Sequence, residues 1–100
     1  MMKEKNYAFL KTLEDIIEKR KETLPQDSYT AKLFQKGIKK IAQKVGEEAS
    51  ETILEAVQTG NDDEFLNETA DLLYHLLVLL RARNFSLEDV VKILESRHKK

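Results

Sequence analysis

Between Lys44 and Leu80 the chain reads KVGEEASETILEAVQTGNDDEFLNETADLLYHLLVLL, two helical patterns on either side of a break at Gly60-Asn61. The first pattern carries Glu47, Glu48 and Glu51, and the second carries Glu68 and Asp71. Residues three or four apart share a helix face, so Glu48 neighbours Glu51 and Glu68 neighbours Asp71. A short connection at the break folds the two helices into an antiparallel hairpin. Glu48 and Asp71 then stand equally far from the bend at Thr59-Gly60, and so do Glu51 and Glu68. All four carboxylates fall at one level, roughly two to three turns from the bend.

The second pattern ends in LLYHLLVLL, apolar on nearly every side, which marks a helix buried all round. At roughly 100° per residue, Glu68, Asp71 and His75 lie within about 60° of one another on it. A carboxylate beside such a surface is costly to desolvate unless it is paired, protonated or bound to a cation. Four converging carboxylates repel one another unless a positive charge sits between them. Hard divalent cations take oxygen ligands, and Mg²⁺ favours a few carboxylates together with substrate phosphates. One acidic pair in a chain with 35% charged residues would read as a solvated face. Two such pairs in matched hairpin register, beside an apolar helix, point instead to a metal site formed by Glu48, Glu51, Glu68 and Asp71.

The remaining segments read as further helices. A stripe of Tyr7, Leu10, Leu13, Ile16 and Ile17 predicts a packing helix over 6–22, opened by Asn6, with Glu14, Asp15, Glu18 and Lys21 towards solvent. Pro25-Gln26-Asp27 breaks the chain. Ser28 then caps a short helix that Gly37 ends. Within it, Ser28, Tyr29, Thr30 and Lys32 bear groups suited to phosphate oxygens, although a plain connecting helix would use the same residues. Ile38, Ile41, Val45, Ala49, Thr52 and Ala56 form the stripe of the first hairpin helix, expected over 38–59. Gly46 inside it costs about 1 kcal/mol against alanine, which close approach of a partner or ligand would explain. Lys40 and Lys44 can neutralise the nearby acids or meet phosphates.

Asn61 or Asp62 is expected to cap the second hairpin helix, which runs to about Arg83 with Phe65, Leu66, Ala70, Leu73, Leu77 and Leu80 facing the core. Its other apolar sides call for a second subunit. Ser86 with Asp89 resembles a capping box opening a last helix striped by Leu87, Val90, Val91 and Leu94. The tail HKK is expected to fray. The fold class is therefore all-α, a bundle of about four to five helices around the hairpin, completed by dimerisation.

Bulk composition narrows the function. The 100 residues fit one domain over 1–100, and a chain this short gains much by oligomerising. Seventeen basic residues against 18 acidic ones give a net charge of −1, which argues against a nucleic-acid binder. Cysteine is absent, excluding disulfides and thiolate catalysis. MMKEKNYAFL lacks the apolar core of a secretory signal, and LLYHLLVLL is too short to span a bilayer, so a cytoplasmic protein is expected. There is no GxxxxGK[ST] loop. A di-iron bundle would need two Glu-x-x-His motifs, and the chain has only Glu95-Ser96-Arg97-His98.

Four carboxylates around Mg²⁺ suit attack of water on a phosphoric anhydride. Glu47 is a candidate base or further ligand, or equally a solvated acid paired with Lys40 or Lys44. His75 reads as a hydrogen-bonded core histidine before it reads as an acid–base group. EExxE followed by ExxD across a helical hairpin resembles the MazG-type all-α nucleoside triphosphate pyrophosphatases. SYTAKL at 28–33, KVGEEASE at 44–51, ETADLLYHLLVLL at 68–80 and LESR at 94–97 bring it nearest to the phosphoribosyl-ATP pyrophosphatases of histidine biosynthesis. The resemblance implies Mg²⁺-dependent hydrolysis of phosphoribosyl-ATP to phosphoribosyl-AMP and pyrophosphate by a homodimer. It places Glu48, Glu51, Glu68 and Asp71 at the metal, with Glu47 in support, and implies a stand-alone form without the cyclohydrolase domain of many relatives. The substrate's additional phosphate would need a contact away from the acids, for which Ser28, Tyr29, Thr30, Lys32, Lys44 and Arg97 are the candidates. Two rivals remain: a MazG-like pyrophosphohydrolase of (d)NTPs, and a non-catalytic helical dimer used for binding.

Overall fold

A computed structural model describes residues 6–99, and within them the chain is helical with no strand. The first five residues of MMKEKNYAFL and the final lysine of the HKK tail lie outside the described residues. Five helices follow in order: α1 (Ala8–Thr23), α2 (Tyr29–Lys36), α3 (Ile38–Ala56), α4 (Asp62–Ala82) and α5 (Leu87–Arg97). Helices α3 and α4 form the hairpin and share by far the most extensive contact in the fold. Ile17 of α1, Leu33 of α2, Ile41 of α3, and Leu77 and Val78 of α4 form the core. Each side chain of this kind gains about 1.5–3 kcal/mol on burial, so these few residues hold four helices together. Helix α5 contributes Leu87 at its edge and has no buried residue of its own.

Gly37 serves both as the end of α2 and the start of α3, at φ 97° and ψ 176°. That backbone region is open essentially to glycine alone, so the sharp reversal between the two helices depends on it. Ser28 caps α2 as expected, its Oγ accepting from the Ala31 N–H at 3.0 Å. Ser86 and Asp89 form the anticipated reciprocal capping box at the start of α5.

Several expectations are corrected. Helix α3 stops at Ala56 rather than at residue 59. Asn61 stands at the start of α4 but caps nothing there; its amide turns back and donates to the Glu55 carbonyl at 3.1 Å and to the Glu55 carboxylate. Asn6 does not open α1, whose first flanking residue is Tyr7 without a side-chain cap. Glu14 does not face solvent. It is 5% exposed and accepts the Leu87 N–H at 2.6 Å, so a residue of α1 satisfies a free backbone donor in the first turn of α5. Lys21 also leaves solvent, donating to the Arg81 carbonyl and Asn84 Oδ1 at 2.7 Å each, which closes the end of α4.

The face of α4 that enters the core is centred on Leu77 and Val78, whereas Leu66 and Leu73 are exposed. The 72–80 segment is therefore not covered all round. Leu73 and Leu76 on α4, Ile53 and Leu54 on α3, and Val57 just past its end remain exposed. Nearby, Ile38, Ala42, Leu76, Leu79, Leu80 and Phe85, with Arg83, line an open, mainly apolar cavity of about 380 Å³. No described helix is long and apolar enough to cross a membrane.

Candidate metal centre

Of the four carboxylates that the register places at one level, the hairpin brings three within reach of a common ion. Glu48 from α3 and Glu68 and Asp71 from α4 each offer an oxygen, and these oxygens lie within 4.8 Å of one another. Glu48 is buried, Glu68 half-buried and Asp71 exposed, so the cluster opens from a protected floor to solvent. The donors are all carboxylate oxygens from two rigid helices. That set suits a hard divalent cation and lacks the nitrogen or sulfur ligands that softer metals prefer. Glu51, exposed on the next turn of α3, borders the group.

Crowding shows in the acidities. Burial raises the Glu48 carboxyl above the ordinary range, a hydrogen bond with Glu51 and the charge of Asp71 push the same way, and His75 and Lys44 oppose them. Desolvation also raises Glu68, and the negative charges of Glu51, Asp71 and Glu48 add to it. Both shifts have the sign expected of carboxylates crowded against one another.

Glu47 points elsewhere. Its carboxylate accepts from Gln43 Nε2 at 2.8 Å and pairs with Lys44 at 3.4 Å. The Gln43 hydrogen bond, with Lys44 behind it, holds Glu47 below the usual carboxylate range. Gly46 meets no other part of the protein, since a Cβ there would find nothing within 4 Å. Packing within the chain therefore does not account for it.

His75 is the residue whose placement sequence patterning under-read. It is buried, as a core histidine would be, with Nδ1 at 2.9 Å from the Asp71 carbonyl. The same nitrogen also lies 2.9 Å from Glu48 Oε1. Its other nitrogen, Nε2, is 2.8 Å from the Tyr29 hydroxyl, 46 residues away. Tyr29 and Tyr74 both meet the ring edge-on, at centroid separations of 5.8 and 5.5 Å. The only advance sign was a polar residue set among leucines one turn from Asp71.

The candidate phosphate residues separate into two groups. Ser28 is used as the α2 cap, and Thr30 is buried with its hydroxyl bonded to the Tyr74 hydroxyl. Tyr29, Lys32 and Lys44 instead line a small cavity with Lys36 and Lys40. Burial raises the Tyr29 hydroxyl's pKa, Lys44 opposes this, and the charges of Glu48 and Asp71 reinforce it. Through His75 the Tyr29 hydroxyl in this cavity's wall connects to Glu48. Arg97 is exposed on α5 and belongs to neither group.

A family model described as phosphoribosyl-ATP pyrophosphohydrolase matches residues 10–98. The histidine biosynthesis bifunctional protein HisIE of Xanthomonas campestris pv. campestris is 58% identical over 91 residues, which cover 91% of this chain and 44% of that protein. The HisIE protein of Bacteroides thetaiotaomicron is 50% identical over 95 residues, covering 95% and 46%. A phosphoribosyl-ATP pyrophosphatase of Leptospira biflexa is 49% identical over 90 residues, covering 90% of this chain and 97% of that one. The chain thus spans somewhat under half the length of the bifunctional relatives and nearly the whole of the single-function one. With the match running through α1 to α5 and across every carboxylate of the cluster, the chain belongs to the phosphoribosyl-ATP pyrophosphohydrolase family.

Proposed function

We propose that this protein hydrolyses phosphoribosyl-ATP to phosphoribosyl-AMP and pyrophosphate in histidine biosynthesis, with Mg²⁺ held by Glu48, Glu68 and Asp71 and with Glu51 completing the acidic surround. The observation that carries the reading is the convergence of three carboxylates from both hairpin helices, in a chain of this family. In the reaction, water oxygen bonds to phosphorus, the anhydride bond to pyrophosphate breaks, and the water proton passes to a base. A Mg²⁺ held there would shield the phosphate oxygens and make a water a better nucleophile.

The protein's own part is placement. Glu48 is held from behind by the His75 Nδ1–H, which leaves its remaining lone pairs for the site. Tyr29 fixes the other side of that ring by donating to Nε2. Glu68 and Asp71, more exposed, face the side from which substrate arrives. Glu47, adjacent to Glu48 in α3, would serve as a base once it releases Gln43 and Lys44, which hold it in this structure. Ser28 and Thr30 act on substrate indirectly, by fixing α2 and hence Tyr29 and Lys32.

The functional unit in this reading is one domain over 1–100 that works as a homodimer in the cytoplasm, without nucleic acid. The exposed leucines of α4 and the apolar cavity beside them support the dimer, because an uncovered face of this kind is stabilised by a second copy. Pyrophosphate release should be measured with phosphoribosyl-ATP and a panel of dNTPs side by side, with and without Mg²⁺. Preferential Mg²⁺-dependent turnover of phosphoribosyl-ATP is expected. Preference for a dNTP would transfer the chain to the MazG-like reading, and absence of any turnover would leave a binding protein.

A further inference from the structure

Helices α2 and α3 bring lysines together. Lys32 and Lys36 stand one turn apart on α2, and Lys40 and Lys44 one turn apart on α3. With Tyr29 and Leu33 they line a cavity of about 130 Å³, and no carboxylate lines it. Lys44 pairs with Glu47 at 3.4 Å; among the described residues, Lys32, Lys36 and Lys40 have no carboxylate within 4 Å. Like charges at i,i+4 destabilise a helix, and here the arrangement occurs on both walls. Lysines spread over a surface need no ligand, but these converge on one hollow between α2 and α3.

The hollow holds roughly four waters' share of liquid volume, enough for a tetrahedral phosphate group and too little for a nucleoside. Lysine recognises phosphate as a mobile point charge, so several around one pocket suit a dianion better than a flat carboxylate. Position adds to this. Tyr29 stands in the cavity wall and bonds to His75, which touches Glu48. The lysine cavity and the carboxylate cluster therefore lie on two sides of one short relay of side chains.

We propose that the Lys32–Lys36–Lys40–Lys44 cavity is a binding site for a phosphate monoester, separate from the phosphate chain held at the carboxylates. This rests on the reading above that phosphoribosyl-ATP is the substrate, since its phosphoribosyl group supplies that monoester. A plain nucleoside triphosphate has no second phosphate to place there, so the cavity selects between the two. Lys36 and Lys40, engaged by no acid, are the residues this adds to the earlier candidates. The contact persists from substrate to product, so it acts as uniform binding.

The test titrates ribose 5-phosphate into the metal-free full chain by calorimetry, for wild type, Lys36→Ala/Lys40→Ala and Asp71→Asn. Saturable binding is expected in wild type, weakened about tenfold or more in the double variant, since hydrogen bonds to charged groups have that worth. Asp71→Asn should retain it, and added salt should weaken it. In turnover, the double variant should raise KM for phosphoribosyl-ATP by a similar factor with kcat within about twofold. Its kcat/KM preference for phosphoribosyl-ATP over dATP should fall. Circular dichroism checks the fold, and Lys36→Gln/Lys40→Gln replaces the alanines if helicity drops. No saturable binding in wild type, equal binding in the double variant, or a kcat loss at constant KM would each overturn the proposal. If wild type does not hydrolyse phosphoribosyl-ATP, the proposed reaction fails while the binding arm still decides the cavity.

Discussion

The Nδ1 atom of His75 lies 2.9 Å from Oε1 of Glu48, the most buried carboxylate of the cluster. The same nitrogen faces the Asp71 carbonyl at 2.9 Å, so two oxygen acceptors meet there and the proton belongs on Nδ1. Nε2 is then free to accept the Tyr29 hydroxyl. Such an outer partner fixes the rotamer of a ligand and typically accounts for about 10–100-fold in metal affinity. His75→Ala should weaken Mn²⁺ or Mg²⁺ binding, read by calorimetry, within that range. Tyr29→Phe should weaken it less, because the Nδ1 bond survives. Unchanged affinity in His75→Ala would remove His75 from the site.

Substituting the carboxylates separates ligand charge from folding. Glu51→Gln and Asp71→Asn should each abolish activity while helicity is retained. Near wild-type turnover at limiting Mg²⁺ would show that the ligand set is wrong in the case of Asp71→Asn, and would remove Glu51 from the acidic surround in the case of Glu51→Gln.

The metal-free protein should respond to pH through Glu48 and Glu68, whose folded-state pKa values are raised. A raised carboxylate contributes its stability below the unfolded pKa and loses it as pH rises through the folded one. Glu68→Gln should therefore raise the Tm of the metal-free protein at pH 7. The gain should vanish near pH 4, where the wild-type carboxyl carries its proton. An equal Tm difference at both pH values would contradict the assigned crowding.

Glu14 supplies a contrast with its neighbour. Glu14→Ala leaves the Leu87 N–H without its acceptor and should cost about 1–3 kcal/mol in urea unfolding. Asp15→Ala, at an exposed position, should stay within about 0.5 kcal/mol. Equal effects would mean that the link from α1 to α5 does not hold the fold.

Leu73→Glu/Leu76→Glu tests assembly. Both side chains are exposed in the single chain, at 39% and 38%, so charge there should leave the core intact. Sedimentation at micromolar concentration should show a dimer for wild type and a folded monomer for the variant. A wild-type monomer with full activity would refute the dimer.

Much of this molecule is written in local pattern. The hairpin about Gly60, the level of its carboxylates, the Ser28 cap, the end of α2 at Gly37 and the Ser86–Asp89 box all depend on spacings of a few residues. Helix geometry converts such spacings directly into positions. Tertiary structure decided what those spacings leave open. Period alone marks an apolar helix without saying which side is covered, and packing of α1 and α3 chose Leu77 and Val78 over Leu66 and Leu73. Glu14 capping α5, Asn61 clamping α3, and Tyr29 joined through His75 to Glu48 are contacts between groups that other residues of the same type make in solvent just as well. The lysine cavity belongs with them. Lys40 and Lys44 read as neutralising nearby acids or meeting phosphates, and Lys32 as a phosphate contact; only the meeting of α2 with α3 puts them, with Lys36, around one hollow. A buried polar partnership depends on which elements meet, and that is set by the whole core rather than by the residues that form the bond.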